Sequence, residues 1–482
     1  MNEDTGPIEI PHASMRELRQ RGELPSTKEG LAIELTLRVG DLLASAGAGA
    51  KDTVVTMRRI CQSYGLSRAQ LDVTSNVIMG SYYPGEGMGP ITSLRTVSPM
   101  VPNLSKVYAV NDMVQKIVEG MGIGQAARRF DAIKNDRTPY PPWLAALATG
   151  GISLGVQLLY TISPVMLVLA FITGYAVNRF VHLLERTGLP IFFQQVFGGW
   201  LIVAFAAGVT WLNTQPKLDV FGYLSPTVIA VGCVFQLVAG AQFVAGIQDA
   251  IDSFFVTAAA RVLQVVMLTA GLVIGLVSGL DMARRFGIDV YISSTAPVFG
   301  NVVAQLIGAT VIAISWAASC FANRRTLFVT AFVTLIGWGV YLVVLNLGLG
   351  PVMANFAGPT VAAALVTIIV RRLWQIPAFG VIKAMGIPFV PGFTLYLGLL
   401  QLVGSTSAQA SPSLGGATLG QAAAVALAIA AGASLGVFVA RPANERLMSL
   451  PRLGREDVSL GKRVRRTAGS LRHLRRSGRR EG

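Results

Sequence analysis

Two carboxylates three residues apart, Asp249 and Asp252, close a long apolar run, and Arg261 opens the run that follows. An i, i+3 spacing sets both acids on one helix face, within reach of that arginine. A charged group in hydrocarbon costs several kcal/mol unless partnered, so such residues are candidates for chemistry. A carboxylate there can hold the ammonium of a solute or take up a coupling proton. The same three residues also suit an ion pair in water at a membrane edge, and spacing leaves both readings open. Gln194 and Gln195 sit a turn inside an earlier apolar run, just ahead of Gly198 and Gly199. Their amides donate and accept, which suits a zwitterion, and they suit equally a hydrogen-bonded bridge between helices. Lys383, near the start of another apolar stretch, reads as a side chain snorkelling to lipid phosphates.

These groups need elements to aim them, and GIPFVPGFTLYLG, residues 386–398, is the stretch on which the arrangement turns. Pro388, Pro391 and Gly392 interrupt the hydrogen-bond ladder that a membrane helix requires. Broken backbone at membrane depth persists only inside protein or beside a wet cavity, and transporters use it to present amides and carbonyls to a solute. LVAGAQFVAGIQDAI, residues 237–251, is a fainter copy: a shift of 152 places brings Val238 onto Val390, Gly240 onto Gly392 and Gly246 onto Gly398. A second echo pairs PIFFQ, residues 190–194, with PVMAN, residues 351–355, so that Gln194 and Asn355 each follow a proline by four places.

Composition sets the frame. The 482 residues are 52% hydrophobic and only 13% charged, about half the charge density of a soluble domain. Lys plus Arg and Asp plus Glu number 16 and 15 in residues 1–142, 11 and 6 in residues 143–440, and 13 and 4 in residues 441–482. A mixed-charge head, a membrane body and a basic tail follow. The clusters KRVRR (462–466) and RSGRR (476–480) fit a cytoplasmic tail that touches anionic lipid, and no nucleic acid is expected. Cys61, Cys233 and Cys320 are scattered and form no CxxC, so neither a disulfide framework nor a zinc site is indicated. The acidic start, MNEDTGPIEIP, has no apolar core of a signal peptide, so the head is expected in the cytoplasm.

After a polar arm (residues 1–27), the head (28–142) reads as a small α/β domain. Leu35, Val39, Leu42 and Ala46 share one helix face with a stop at Gly47, and a second helix runs from Lys51 to Tyr64. LDVTSNVIM alternates as one strand, a Pro/Gly turn leads into another over 91–97, and Val107, Val110, Val114 and Ile117 mark a third helix. Asp41, Ser45, Asp52, Asp72 and Ser81 form no nucleophile elbow, phosphate loop or metal spacing, so the head reads as a gating or assembly element and not as an enzyme.

The body carries ten runs of the length a bilayer needs, near 143–161, 164–182, 190–212, 223–247, 256–280, 299–321, 326–346, 352–370, 378–403 and 419–440. With the head inside, Arg179, Arg186, Arg324, Arg325, Arg371 and Arg372 fall on inner loops. Lys217, Arg284 and Arg285 fall outside and are offset by Asp219, Asp281 and Asp289. Ten spans divide into halves of five, 143–280 and 281–440, and an odd number per half inverts the second against the first.

RVGDLLASAG, LPIFFQQVFGGW, GIQDAIDSFFVTAAAR and GIPFVPGFTLY, in that order over roughly residues 31–440, resemble the threonine/serine exporter family of bacterial membrane proteins. The resemblance implies a cytoplasmic N-terminal domain before ten helices, whose halves are separate chains in some relatives. It implies proton-driven efflux of threonine and serine through the inner membrane; no cofactor is expected, and a homo-oligomer is. Gln194, Gly198, Gly199, Gln248, Asp249, Arg261, Pro391, Gly392 and Tyr396 are the site residues it carries over. One departure is Leu397, where the family pattern often has an arginine; a substrate carboxylate relying on that arginine needs another partner. Export of a C4 dicarboxylate is the nearest alternative, and a membrane-anchored hydrolase or a passive pore the more distant ones.

Overall fold

The computed structural model describes residues 27–84, 89–97, 103–214, 224–288, 290, 299–369, 378–403 and 412–448. The polar arm, nearly all of the basic tail, and Lys217, Asp219, Asp289, Arg371 and Arg372 lie outside the described residues.

In the head, helices α1 (Lys28–Ser45) and α2 (Ala50–Ser63) precede strands β1 (Gln70–Thr74), β2 (Val77–Tyr82) and β3 (Ile91–Thr96), followed by α3 (Leu104–Val118) and α4 (Ile123–Asn135). Thr27 caps α1 by accepting from the Gly30 amide at 3.1 Å. That helix is buried on two faces. Leu35 and Val39 pack with Val107, Val110 and Met113, while Ile33 and Leu37 pack with Met57 and Ile78. The strands form one antiparallel sheet in the order β1-β2-β3. The single strand expected over LDVTSNVIM is therefore two, paired with Thr74 opposite Val77 across a turn that holds Ser75 at a φ of 54°. The turn shifts the alternation by one place, so Ile78 is buried and Met79 faces out. Helix α4, not anticipated from the sequence, contributes Ala126, Ala127, Phe130 and Ile133 to the core.

The body consists of α5 (Pro142–Tyr160), α6 (Pro164–Arg186), α7 (Ile191–Asn213), α8 (Pro226–Leu237), α9 (Gly240–Ile251), α10 (Phe255–Arg285), α11 (Val302–Ser319), α12 (Arg324–Asn346), α13 (Gly350–Ile369), α14 (Ala378–Gly386), a 3-10 turn (Ile387–Phe389), α15 (Gly392–Val403) and α16 (Pro412–Met448). Among the described residues, eight of these helices are long and apolar enough to cross a bilayer, and two further pairs qualify as bent units, giving up to ten. The α8–α9 pair bends by 43° and the α14–α15 pair by 48°. Trp143 and Trp211, exposed near the ends of α5 and α7, match the aromatic belt of a membrane protein. Apolar helices on this scale make the chain a polytopic helical membrane protein.

Glycines set how closely the helices cross. A Cβ on Gly155 would lie 2.8 Å from the Gly308 carbonyl oxygen, and one on Gly308 would lie 2.7 Å from that of Gly155, so α5 and α11 touch backbone to backbone. Gly271 and Gly275 of α10 bring it against α7, and Gly432 and Gly436 of α16 bring it against α13. The two bends meet at the centre. Val390 packs on Gly240 so tightly that a Cβ there would overlap it, and Val238 packs on Gly392 at ordinary contact distance.

Candidate functional site

Helix α9 ends two residues past Asp249, and Asp252, Ser253 and Phe254 turn the chain into α10. Ser253 takes a φ of 70°, and the Phe254 amide donates to the Asp249 carbonyl oxygen at 2.8 Å. This tight reversal sends α10 back along α9. Gly246 faces the Arg261 stem, where an added Cβ would lie 3.3 Å from the Arg261 Cβ. Arg261 is thereby set beside Asp249, with Nη1 2.7 Å from Oδ2, an ion pair whose angle is not that of a directed hydrogen bond. The Asp249 side chain is 3% exposed and the Arg261 side chain 23%, so the acid is shielded and the base forms its lid.

The remaining partners come from the head. The loop between α1 and α2 reads Ala46-Gly47-Ala48-Gly49, and α2 starts at Ala50 with no side-chain cap of its own. Asp249 caps it instead: the Ala50 amide donates to Oδ1 at 3.2 Å. A carboxylate at a helix N-terminus is favoured by the amides exposed there and by the helix dipole. The Ala48 carbonyl oxygen accepts from Arg261 Nη2 at 3.4 Å, and the Gly47 carbonyl oxygen accepts from Lys383 Nζ at 3.0 Å. Asp252 pairs with Lys51, the second residue of α2. Lys383 therefore does not snorkel to lipid phosphates. Its ammonium ends on the head, 5.9 Å over the Trp316 ring, because the α1–α2 loop lies against the middle of α14.

Other head–body contacts surround this point. Thr257 of α10 accepts from the Ser75 amide at 3.0 Å and donates to the Val73 carbonyl oxygen at 3.3 Å. The Leu104 amide donates to the Cys320 carbonyl oxygen at 2.8 Å, and the Tyr140 hydroxyl donates to that of Ala318. Burial pushes that hydroxyl up to about 12, so it stays protonated and remains a donor.

Apart from Gln248, the other residues singled out in the sequence make none of the contacts of this cluster. Gln194 donates to the Leu189 carbonyl oxygen at 2.7 Å and Asn355 to that of Pro351 at 2.8 Å; each amide serves the start of its own helix. Gln195 is 8% exposed, and its Oε1 has no hydrogen-bond partner among the described residues. Gly198 and Gly199 let α7 close on α8 and α10, with an added Cβ 2.7 Å from Leu237 Cδ1 and 2.9 Å from the Leu272 carbonyl oxygen. Gln248 is half-buried next to Asp249. Pro391 and Gly392 form the second bend, where the Gly392 amide donates to the Val390 carbonyl oxygen at 2.8 Å. Tyr396 is 2% exposed, 5.8 Å centroid to centroid from Phe393 in the core where the bends meet.

Polar groups also occur where the sequence reading passed over them. Ser153 donates to the Gly232 carbonyl oxygen at 2.7 Å and accepts from Gln236 Nε2 at 2.6 Å. One turn along α5, Gln157 is fully buried with neither amide atom partnered among the described residues. On α12, Thr330, Thr334 and Trp338 line one face at intervals of four, and their polar atoms are unpartnered in the same sense. Trp338 lies 5.2 Å from Phe389 of the second bend. The rule that picked out Gln194, polar residues inside apolar runs, applies to Gln157 and Gln236 unchanged.

Residues 34–283 match the family described as "Putative threonine/serine exporter", and residues 305–439 match the one described as "Threonine/Serine exporter, ThrE". The chain is 29% identical over 442 residues to a "Probable threonine/serine exporter" of Mycobacterium tuberculosis, covering 90% of this chain and 80% of that protein. It is 28% identical over 413 residues to a "Threonine/serine exporter" of Corynebacterium glutamicum, covering 85% and 82%. Both relatives are named as exporters and neither as an enzyme. No solved structure matches the chain. A family match that spans more than half the sequence, on a bundle of apolar helices, leads to one conclusion: the chain belongs to the threonine/serine exporter family.

Proposed function

We propose that this protein exports small polar amino acids, threonine and serine first, across the cytoplasmic membrane by using the proton-motive force. The observation that carries the reading is Asp249, a shielded carboxylate held by Arg261 at the end of a broken apolar span. A carboxylate so placed can exchange its present partner for a solute ammonium or a proton. Binding of either biases which side is open, by no more than the difference in affinity between the two states.

Ten crossings in two inverted halves are the scaffold of this reading. The polar head contacts described above fall on the side where ten crossings put the head: Asp249 and Thr257 flanking one turn, Ala318 and Cys320 at the end of α11, Lys383 in α14. The reciprocal packing of Val390 on Gly240 and Val238 on Gly392 is what a pseudo-two-fold axis through the bends produces. In this arrangement valines seal the centre, and alternating access parts them.

Flux of labelled threonine in vesicles with an imposed pH gradient tests the proposal. Wild-type protein accumulates threonine against its gradient and Asp249→Asn does not, though it inserts normally. Counterflow of succinate in place of threonine, or dissipation of the gradient without accumulation, sinks the assignment.

A further inference from the structure

We propose that the α1–α2 loop, Gly47 to Ala50, occupies a head-side binding site for an amino-acid zwitterion, and that Lys383 joins Arg261 as that site's carboxylate-binding residue. The inference rests on the reading that this chain exports an amino acid and adds where, and by which residues, the solute is first held.

The polarity of the contacts carries it. Three ionic side chains from three helices, Asp249 of α9, Arg261 of α10 and Lys383 of α14, converge on four residues of backbone. The loop offers one N–H to the acid, from Ala50, and two carbonyl oxygens to the bases, from Gly47 and Ala48. An α-amino acid offers the same set: an ammonium donor and a carboxylate with two acceptor oxygens, on adjacent atoms. With Gly and Ala alone from 46 to 50, no long side chain intervenes between backbone and charges. A Cβ on Gly47 would overlap the Lys383 ammonium, and one on Gly49 would lie 3.7 Å from Asp249 Oδ1.

The energetics make loop and solute alternatives. Asp249 is too shielded to lose a donor without cost, and an uncompensated buried charge is strongly destabilising. The loop therefore leaves most readily when a ligand of matching polarity takes its place. A zwitterion does so, with its ammonium on Asp249 and its carboxylate across Arg261 and Lys383. A dicarboxylate brings no donor for Asp249 and sets a like charge against it. Selection for amino acids over diacids follows from the head's own stand-in. The Lys51–Asp252 pair keeps the head tethered while the loop is out and the Thr257 contacts are released.

The test uses the full-length protein in proteoliposomes, with Cys61, Cys233 and Cys320, all buried, replaced by alanine. Ser75→Cys and Thr257→Cys then mark the docked head, to be joined by a short reducible bis-thiosulfonate. Saturating threonine is expected to slow cross-linking by roughly tenfold, the scale of an ordinary coupling between sites, whereas succinate leaves the rate unchanged. The joined protein is expected to lose threonine binding and flux and to regain both on reduction. Lys383→Met is expected to raise the KM for threonine with little change in kcat, and Lys383→Arg to restore it. A cross-linking rate indifferent to threonine, or full flux through the joined protein, overturns the inference. Absence of threonine flux before any cross-linking overturns the export reading instead, and protection from cross-linking still reports on the site.

Discussion

The two broken spans share a geometry and differ in chemistry. Each bends at a Val-X-Gly step, and each valine packs on the other's glycine. Seven residues before the second bend's Val390 stands Lys383, and nine residues after Gly240 of the first stands Asp249; both lie at the head. The shift that overlays the bends carries Asp249 onto Gln401, a buried neutral amide whose Oε1 accepts from Thr418 at 2.7 Å. It carries Lys383 back onto Val231. One end of the crossing is thus ionic and covered by a domain, while its counterpart is neutral. On the proposed reading of two inverted halves, the repeat supplies the shape of a two-sided carrier, and the residues that differ between the halves give it a direction. Under the proposed export reading, a zwitterion held by charge at one face and by neutral amides at the other is expected to bind more tightly on loading than on release.

That contrast can be broken in order of effect. Asp249→Asn is expected to lower threonine flux by roughly 100-fold or more, the consequence of removing one member of a shielded charge cluster. Gln401→Ala should retain flux within a few-fold; equal losses in the two variants would erase the distinction between the faces. Arg261→Ala leaves the Asp249 carboxylate without its cation and should cost about 3–5 kcal/mol of stability in detergent, largely recovered in the Asp249→Asn, Arg261→Ala double variant. Thermal unfolding of the purified variants reads both.

The bends themselves should respond unequally. Gly240→Ala must displace Val390 and is expected to cost about 1–3 kcal/mol, and Val390→Ala should relieve it. Gly392→Ala meets Val238 at 3.5 Å and should cost less than about 0.5 kcal/mol. Equal costs would mean that the crossing is looser than its packing implies. At Gly47, whose φ of 81° disfavours a side chain, Gly47→Ala should cost about 1 kcal/mol and weaken head docking, read as slower cross-linking between positions 75 and 257.

Much of this was legible in the sequence, for identifiable reasons. The spans follow from apolar run length, and both bends from Pro and Gly in runs that otherwise permit a continuous helix. The Asp249–Arg261 pair followed from spacing across a short turn. The β1–β2 split was hidden because Leu71, Val73, Val77 and Met79 keep an even spacing straight through the turn that reverses the chain. Helix α4 was legible but passed over: Ala126, Ala127, Phe130 and Ile133 recur at helical spacing among charged residues. Lys383 was misread because its partner, Gly47, is 336 residues away, and no local pattern encodes a contact at that separation.

The backbone crossing of Gly155 and Gly308 has a mechanical consequence. Where two helices meet through side chains, rotation demands that rotamers unlock and repack, and the barrier grows with every interdigitated residue. Here peptide groups rest on peptide groups. Such a contact is expected to act as a fulcrum: a tilt of one helix on the other has to move the flanking Ile312, Leu158 and Leu159 side chains, but no side chain of the two glycines at the pivot.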